Sequence, residues 1–251
     1  MQASWEGRLV EEWRQAWRLP ALEVHPTLPS TMERAWSLAE AGAEVGTLVL
    51  AEEQTAGRGR SGRSWHSPPG QGLWMSWILP PLGARLPVLP LRVGLRLARG
   101  IEAVAAVAVD LKWPNDLWLD GRKLGGVLTE TRGGQVVVGV GLNVRPPPGG
   151  FPAELAEVAV ALEERAGPVG RGALATALLD ALGGLASDPG PGKLTPEEHR
   201  DLTGRDLLRG RPLRTSVGDG TGAGVRRDGA LLLQDGSGAV RGVVAGGVEI
   251  L

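Results

Sequence analysis

Residues 136–144 alternate so regularly that they constrain the fold more than any other segment. Successive side chains of a strand point to opposite faces. One face then carries Val136, Val138, Val140 and Leu142, and the other carries Val137, Gly139, Gly141 and Asn143. Two glycines on one strand face leave space where side chains normally stand, so we expect a ligand or another backbone there. The segment predicts a sheet with one core face and one ligand face.

Segments on both sides of this strand indicate alternating helices and strands. Ser30 and Glu33 have capping-box spacing, and the helix after them should stop near Gly42. The pair Asp120-Gly121 predicts a two-residue hairpin. Apolar periodicity predicts the other helices over 4–18, 90–104, 153–165 and 170–186, and strands over 47–52, 73–79, 107–113 and 123–130.

From about Gly204 the sequence pattern changes to short apolar runs separated by turns that contain Gly and Asp. Several short strands in so little sequence predict a small β-barrel. The fold is therefore expected to be α+β, with a mixed-sheet domain over residues 1–200 and a β-barrel over 204–251.

Lys112 has a distinctive place in the strand predicted over 107–113. Val109, Leu111 and Trp113 alternate with it and should face the core, which puts Lys112 on the opposite, ligand face. A solvated lysine on an open sheet face is the structural alternative.

A cationic, glycine-rich loop occupies residues 53–65 and contains Arg58, Arg60 and Arg63. Glycine lets backbone N–H groups approach a ligand, and arginine matches phosphate or carboxylate oxygens. We therefore expect a flap that closes over an anion, although an exposed loop without a ligand fits the composition about as well. The loop lacks the Gly-Lys-Ser/Thr ending of a Walker A motif.

The composition of the 251 residues excludes several classes of function. A formal net charge of −1 argues against a broad duplex nucleic-acid surface. The chain has no cysteine and only three histidines, widely separated, so neither a protein metal cluster nor a cysteine nucleophile is expected. Without a signal-peptide or membrane-spanning pattern, the expected location is cytoplasmic, with no membrane partner.

Three motifs, in this order, resemble the biotin protein ligases: GRGRSGRSW at 57–65, KWPND at 112–116 with KLGG at 123–126, and GVGLN at 139–143. The resemblance extends over nearly the whole chain. It implies a catalytic domain of the biotin/lipoate ligase type, class II aminoacyl-tRNA synthetase-like, with a C-terminal SH3-like barrel. It also implies that ATP and biotin are substrates, with Mg²⁺ on the phosphates, and that biotin passes through biotinyl-5′-AMP to a lysine of a biotin carboxyl carrier domain.

The same resemblance implies a role for each motif residue. Lys112 and Arg58 are expected to be catalytic. Biotin is expected to contact Ser30, Thr31, Gln54, Gly57, Arg58, Arg60, Lys112, Gly139 and Gly141. ATP and the adenylate are expected to contact Arg60, Arg63, Trp65, Lys112, Asn115, Gly125, Gly126 and Asn143.

Structural alternatives accompany several of these roles. Ser30 can serve as a helix cap and Trp65 as a core residue, and the two glycines of the 136–144 strand can mark a bend or bulge. Met32 and His66 depart from the usual family pattern. His66 receives no role.

Two other functions stay open beside the ligase. A lipoate or octanoate ligase or transferase should lack the Gly/Arg loop and KWPND, and a Gly/Arg-loop nucleic-acid-binding protein should interleave aromatic and basic residues. Only about thirty residues precede Ser30, too few for an additional DNA-binding module, so a monofunctional ligase is expected, with a homodimer left open.

Overall fold

The computed structural model describes residues 3–251, apart from the side chain of Ala84, and has an α+β architecture. The strands are β1 (Ser4–Trp5), β2 (Arg8–Leu9), β3 (Leu22–Leu28), β4 (Leu48–Gln54), β5 (Gly72–Leu79), β6 (Asp110–Lys112), β7 (Asp116–Leu119), β8 (Arg122–Arg132), β9 (Gln135–Asn143), β10 (Pro212–Thr215), β11 (Gly218–Val225), β12 (Leu231–Gln234), β13 (Val240–Val243) and β14 (Val248–Ile250). The helices are α1 (Val10–Ala16), α2 (Thr31–Glu40), α3 (Leu89–Glu102), α4 (Ala153–Ala156), α5 (Glu163–Ala166), α6 (Arg171–Leu182) and α7 (Pro196–Arg205). Short 3₁₀ turns cover Arg60–Gly62 and Gly83–Val88.

A seven-stranded sheet in the order β3-β4-β5-β9-β8-β7-β6 forms the centre of the molecule. Only β3 and β4 pair in parallel, and the other neighbours are antiparallel, so the sheet is mixed as predicted. The hairpin from β7 to β8 turns at Asp120 and Gly121, which have φ values of 48° and 75°. Positive φ at both positions is what a two-residue primed turn requires, and glycine and aspartate tolerate it.

The two faces of this sheet differ as the alternation in β9 predicts. Val136, Val138, Val140 and Leu142 belong to the main core, together with apolar side chains of α3 and α6. On the opposite face Val137 packs against Met32 and Trp36 of α2 in a second, smaller core. Gly139, Gly141 and Asn143 follow Val137 on this face and line a cavity.

The C-terminal strands form a five-stranded antiparallel sheet in the order β13-β12-β11-β10-β14. Its apolar residues, including Leu213 and Leu231, join the main core. Trp113 Nε1 donates a buried hydrogen bond of 2.8 Å to the Gly229 carbonyl, which ties this sheet to the KWPND segment. Helix α7, which the sequence patterns did not predict, runs through the proposed domain boundary at 200–204. The division into two domains, and the SH3-like character of the second, stay predictions.

Three predicted helices were wrong in their extent. The first begins at Val10 rather than at residue 4, because a turn at Glu6 and Gly7, both with positive φ, pairs β1 with β2. Residues 157–162 leave the predicted 153–165 helix and run beside β8, with Lys123 N donating to Val158 O at 2.7 Å. These strand-type hydrogen bonds replace helical ones. The helix predicted over 170–186 ends at Leu182, just before Gly183.

Candidate active site

A cavity of about 380 Å³ opens on the glycine face of the seven-stranded sheet. Its walls are the start of α2, the Gly/Arg loop, strands β6 to β9 and residues 151–159. This volume lies at the lower end of the range for drug-sized ligands. The predicted site residues that line it are Ser30, Thr31, Gln54, Arg58, Arg60, Arg63, Trp65, Lys112, Asn115, Gly126, Gly139, Gly141 and Asn143.

Gly57 and Gly125 are absent from the lining. A Cβ atom at Gly57 would lie 2.6 Å from the Trp65 carbonyl oxygen, because Trp65 N donates to Gly57 O where the loop folds back on itself. A Cβ atom at Gly125 would meet Leu142 and Leu117 on the core face. Both glycines are therefore explained by packing in this structure, and their predicted ligand contacts have no geometric support.

One end of the cavity carries hydroxyl and amide groups. Ser30 precedes α2, but its side chain makes no capping hydrogen bond, so the predicted capping box is wrong. Glu33, the other member of that box, pairs with Arg58 of the loop instead. Ser30 Oγ is consequently buried without any hydrogen-bond partner. A buried polar group in this state needs an explanation, and a bound ligand would supply one.

Thr31 and Gln54 form a rigid network beside this hydroxyl. Gln54 Oε1 accepts hydrogen bonds from Thr31 N at 2.9 Å and from Thr31 Oγ1 at 3.1 Å. Gln54 Nε2 donates to Ser67 Oγ at 2.9 Å, and Thr31 Oγ1 lies 2.8 Å from Ser76 Oγ. These bonds fix α2, β4 and β5 relative to one another, and none of them involves Ser30 Oγ.

The three arginines of the Gly/Arg loop line the cavity, and each is held there by a different bonding partner. Arg58 pairs with Glu33. Arg60 donates to Asn115 Oδ1 at 3.2 Å and to the Gly246 carbonyl at 3.4 Å. Arg63 Nε donates to the Arg60 carbonyl at 3.4 Å. Burial lowers the pKa of Arg60 from its ordinary value. The loop is therefore linked to α2, to KWPND and to the C-terminal sheet.

Lys112 stands on the cavity face of β6, as the alternation predicts, while Leu111 and Trp113 are buried in the core. Its ammonium nitrogen lies 4.8 Å from the ring centroid of Trp118, a cation–π distance. Asp116 lies opposite Lys112 in the register of β6 and β7. Burial lowers the pKa of Lys112, and Asp116 acts in the opposite direction.

Side chains fill the space in front of the strand glycines. A Cβ atom at Gly139 would lie 2.9 Å from Met32 Sδ, and one at Gly141 would lie 2.5 Å from Trp65 Nε1. A Cβ atom at Gly126 would lie 3.2 Å from Asp116 Oδ1. The expected space for a ligand or backbone is thus taken by Met32 and Trp65, and the floor of the biotin pocket stays a prediction.

Three other predicted residues have partners within the protein. Asn115 Nδ2 donates to Val127 O at 2.7 Å, and Asn143 Nδ2 donates to Val160 O at 3.2 Å. The ring centroid of Trp65 lies 5.1 Å from Lys123 Nζ, and the indole Nε1 of Trp65 is buried without a hydrogen-bond partner. These contacts hold the walls in place, and the nucleotide roles stay predictions.

Several further lining residues received no site role from the sequence patterns, among them two from the β7–β8 hairpin and three from an apolar segment. Trp118 stands two residues after Asp116 on β7, and Lys123 of β8 is its cross-strand partner, so both face the cavity with Asp116. An apolar wall comes from Phe151, Leu155 and Val158. Phe151 is the one phenylalanine of the chain, and this large aromatic residue in a Pro/Gly-rich connector was the sequence feature that could have indicated the apolar wall.

Residues 3–251 contain no group of three or more His, Cys, Asp or Glu side chains that could hold a metal ion. Among the same residues, no helix is long and apolar enough to cross a membrane.

Comparison with protein families matches residues 24–145 to the biotin/lipoate A/B protein ligase family. The bifunctional ligase/repressor BirA of Bacillus subtilis is 43% identical over 153 residues, which are 58% of this chain and 47% of the relative. The biotin–[acetyl-CoA-carboxylase] ligase of Mycobacterium tuberculosis is 36% identical over 148 residues, 54% of this chain and 52% of the relative. The chain thus spans about half the length of these relatives.

Solved structures extend the similarity beyond these segments. Biotin protein ligase from Aquifex aeolicus, in complex with biotin and ATP, superposes with a TM-score of 0.76 at 28% identity, covering 93% of this chain and 99% of that one. The Leishmania major enzyme with biotinyl-5-AMP gives a TM-score of 0.62 at 27% identity, covering 90% and 99%. Residues 24–145 of the chain thus match the biotin/lipoate A/B protein ligase family, and the fold over nearly the whole chain is similar to that of solved biotin protein ligases.

Proposed function

We propose that this chain is an ATP-dependent biotin–protein ligase. In the first step a biotin carboxylate oxygen attacks the α-phosphorus of ATP, giving biotinyl-5′-AMP and pyrophosphate. In the second step the amine of an acceptor lysine attacks the acyl carbon, forming an amide and releasing AMP. The similarity to ligases solved with biotin and ATP, or with biotinyl-5-AMP, supports this assignment over a lipoate ligase.

The observation that carries the proposal is that one cavity joins the unpartnered Ser30 hydroxyl to Lys112 and the loop arginines. A cyclic urea offers hydrogen-bonding groups that a buried hydroxyl can satisfy. A carboxylate and a phosphate repel each other, and the cationic side chains of Lys112 and the loop arginines can offset that repulsion. Biotin carries its cyclic urea and its carboxylate at opposite ends, so its chemistry matches both ends of the cavity.

In the mechanism, Lys112 and Arg58 neutralise the oxygens of the carboxylate and the α-phosphate. Charge builds on these oxygens as the new bond forms, and fixed cations stabilise that state more than they stabilise the substrates. Arg58 must leave Glu33 to take this role, since the two are paired in the structure. The loop then covers the adenylate and excludes water.

No protein nucleophile enters this mechanism, because the substrate carboxylate is itself the nucleophile. The chain holds the two reactants in line and lowers the electrostatic barrier. Thr31 and Gln54 contribute through their mutual hydrogen bonds, which keep the hydroxyl end of the cavity in a fixed shape.

The apolar wall of Phe151, Leu155 and Val158, with Trp65, gives the adenine ring a surface on which to pack. Magnesium enters the proposal as part of the ATP substrate. Asp116 is the acidic side chain in the described lining, and it already pairs with Lys123, so we assign the ion to the phosphates rather than to the protein.

The acceptor in this proposal is a biotin carboxyl carrier domain of a biotin-dependent carboxylase. We place the enzyme in the cytoplasm, since the reaction consumes ATP and needs a carboxylase subunit as its acceptor. Light scattering on the purified chain measures whether it forms a homodimer.

The proposal is tested by incubating the protein with a purified carrier domain, ATP, Mg²⁺ and either biotin or lipoate, followed by intact-mass measurement. We expect the mass of one biotinyl group on the acceptor, and no addition when its target lysine is replaced by arginine. Addition of lipoate alone would assign the chain to the lipoate branch of the family. Unmodified carrier with both acids would contradict the proposal.

A further inference from the structure

Met32, which departs from the usual family pattern, lies in the wall of the cavity. It occupies the first turn of α2, directly after Ser30 and Thr31, and is 5% exposed. On the protein side it packs in the second, smaller core together with Trp36 and Val137. Its side chain therefore forms the boundary between that core and the cavity.

Met32 and Gly139 fit against each other. A Cβ atom at Gly139 would lie 2.9 Å from Met32 Sδ and 3.1 Å from Met32 Cγ, so the thioether fills the space that a side chain would need. Trp36 and Val137, which pack behind Met32, are fully buried. Because a packed core yields little, a methyl group added at Gly139 should push the thioether toward the cavity.

The polar groups beside Met32 differ in how far they are already bonded. Thr31 Oγ1 donates to Gln54 Oε1 at 3.1 Å and lies 2.8 Å from Ser76 Oγ. Ser30 Oγ is buried without a partner. A ligand at this end of the cavity would therefore meet both a free hydroxyl and the apolar, polarisable surface of a thioether.

We propose that Met32, packed on Gly139, is a specificity-determining residue that contacts the tetrahydrothiophene ring of biotin. The inference rests on the proposed function, in which biotin places its cyclic urea beside Ser30. The urea ring and the sulfur-containing ring of biotin are fused. A urea bonded to Ser30 thus leaves the second ring to the neighbouring residues, where Met32 offers an apolar surface. The cavity would then select an acid whose hydrogen-bonding group is fused to an apolar ring.

Desthiobiotin separates the two contacts, because it retains the cyclic urea and the carboxylate but lacks the sulfur and the second ring. Met32→Ala removes the thioether and should weaken biotin binding about tenfold, with a smaller loss for desthiobiotin. Met32→Leu has a similar apolar volume and should keep the preference for biotin. Ser30→Ala removes a hydroxyl that serves both ligands, so both should bind more weakly by the same factor.

The contact between Met32 and Gly139 gives a second, independent test. Gly139→Ala should displace the thioether into the cavity and weaken biotin binding about fivefold. In the Met32→Ala background the space in front of residue 139 is open, so the same added methyl group should cause no further loss. Residues in contact show such coupling in a double-mutant cycle.

The experiment is isothermal titration of each variant with biotin and with desthiobiotin, in the absence of ATP. Ile78→Val is the matched control, because Ile78 packs in the same small core and lies outside the cavity lining. It should lower the Tm and leave the ratio of the two dissociation constants at its wild-type value. A purely structural role of Met32 would give that same pattern in Met32→Ala.

An unchanged ratio in both Met32→Ala and Gly139→Ala would overturn the proposal, and so would fully additive losses in the double variant. If Met32→Ala does not fold, Gly139→Ala decides, since the displaced thioether should weaken biotin more than desthiobiotin. Wild-type protein that binds neither ligand would refute the proposed ligase together with this inference, whereas an unchanged ratio would refute the inference alone.

Discussion

The indole of Trp65 occupies the space in front of Gly141, where a Cβ atom would lie 2.5 Å from its Nε1. The ring nitrogen is buried there and has no hydrogen-bond partner. The glycine therefore lets a residue of the Gly/Arg loop reach the central sheet. In the proposed ligase this is the point at which the loop and the floor of the cavity meet.

Replacing Gly141 by valine should displace Trp65 and narrow the cavity. We expect a loss of biotin affinity of about tenfold or more, since overpacking typically costs 1–3 kcal/mol. Isothermal titration with biotin measures it. Gly204→Ala is the matched control, because no atom lies near a Cβ at that position. Normal biotin binding by Gly141→Val would show that the glycine has no part in the pocket.

Replacing Lys112 by alanine should slow adenylate formation by about a hundredfold or more, by analogy with other lost electrostatic donors. Single-turnover formation of biotinyl-AMP, with circular dichroism to monitor folding, measures the effect. Lys193→Ala removes an exposed lysine outside the cavity and should retain the wild-type rate. An unchanged rate in Lys112→Ala would remove this lysine from the mechanism.

The Gly/Arg loop should be more open to proteases before substrates bind. Its arginines are held by few contacts in the structure, among them the exposed Arg58–Glu33 pair, and exposed ion pairs are weak. Trypsin should cut between Arg58 and Arg63 more slowly when biotin and ATP are present, because the anions offset the entropy lost on ordering. Equal cleavage with and without the substrates would contradict a closing loop.

Arg205 should contribute to stability by joining α7 to the end of α3 and to the segment just before β6. It donates to Glu102 Oε2 at 2.8 Å, to Asp201 Oδ1 at 2.7 Å and to the Val109 carbonyl at 2.9 Å. Arg205→Ala would leave the half-buried Glu102 without its cation, at a cost of about 2 kcal/mol in the free energy of unfolding. Urea denaturation at pH 7 measures it. Arg226→Ala, which breaks an exposed pair with Asp228, should leave the denaturation midpoint unchanged.

The pH dependence of this effect has a definite sign. Burial acts to raise the pKa of Glu102, but hydrogen bonds from Arg205 and Val109 outweigh it and hold the pKa below its ordinary value. A carboxyl group with a lowered folded-state pKa stabilises the fold above its unfolded pKa of about 4.3. The stability difference between wild type and Arg205→Ala should therefore shrink as the pH falls below about 4. A difference that grew on acidification would contradict this assignment.

Local alternation predicted the parts of the fold that depend on one strand at a time. The valine face of β9 and the cavity face of Lys112 follow from period two alone, and both were confirmed. The Asp120-Gly121 turn was confirmed for a similar reason, because its backbone angles depend on these two residues. Such features need no knowledge of distant partners.

Features that depend on residues far apart in the sequence were not predicted by the local sequence patterns. Ser30 and Glu33 have capping-box spacing, but Arg58, 25 residues away from Glu33, takes the carboxylate. Residues 157–162 have helical periodicity, but β8 offers them backbone hydrogen bonds. Trp65 fills the space before Gly141 only because the loop folds back at Gly57. In each case a tertiary contact outweighs the local preference.

Biotin-dependent ATP–pyrophosphate exchange is the most direct test of the central claim that this cavity activates biotin as an adenylate. The purified protein is assayed with Mg²⁺ and ATP in the presence of biotin, lipoate or neither acid. We predict exchange with biotin and none without an acid, with Lys112→Ala reduced by about a hundredfold. Exchange with lipoate alone, or no exchange by folded protein with either acid, would contradict the account.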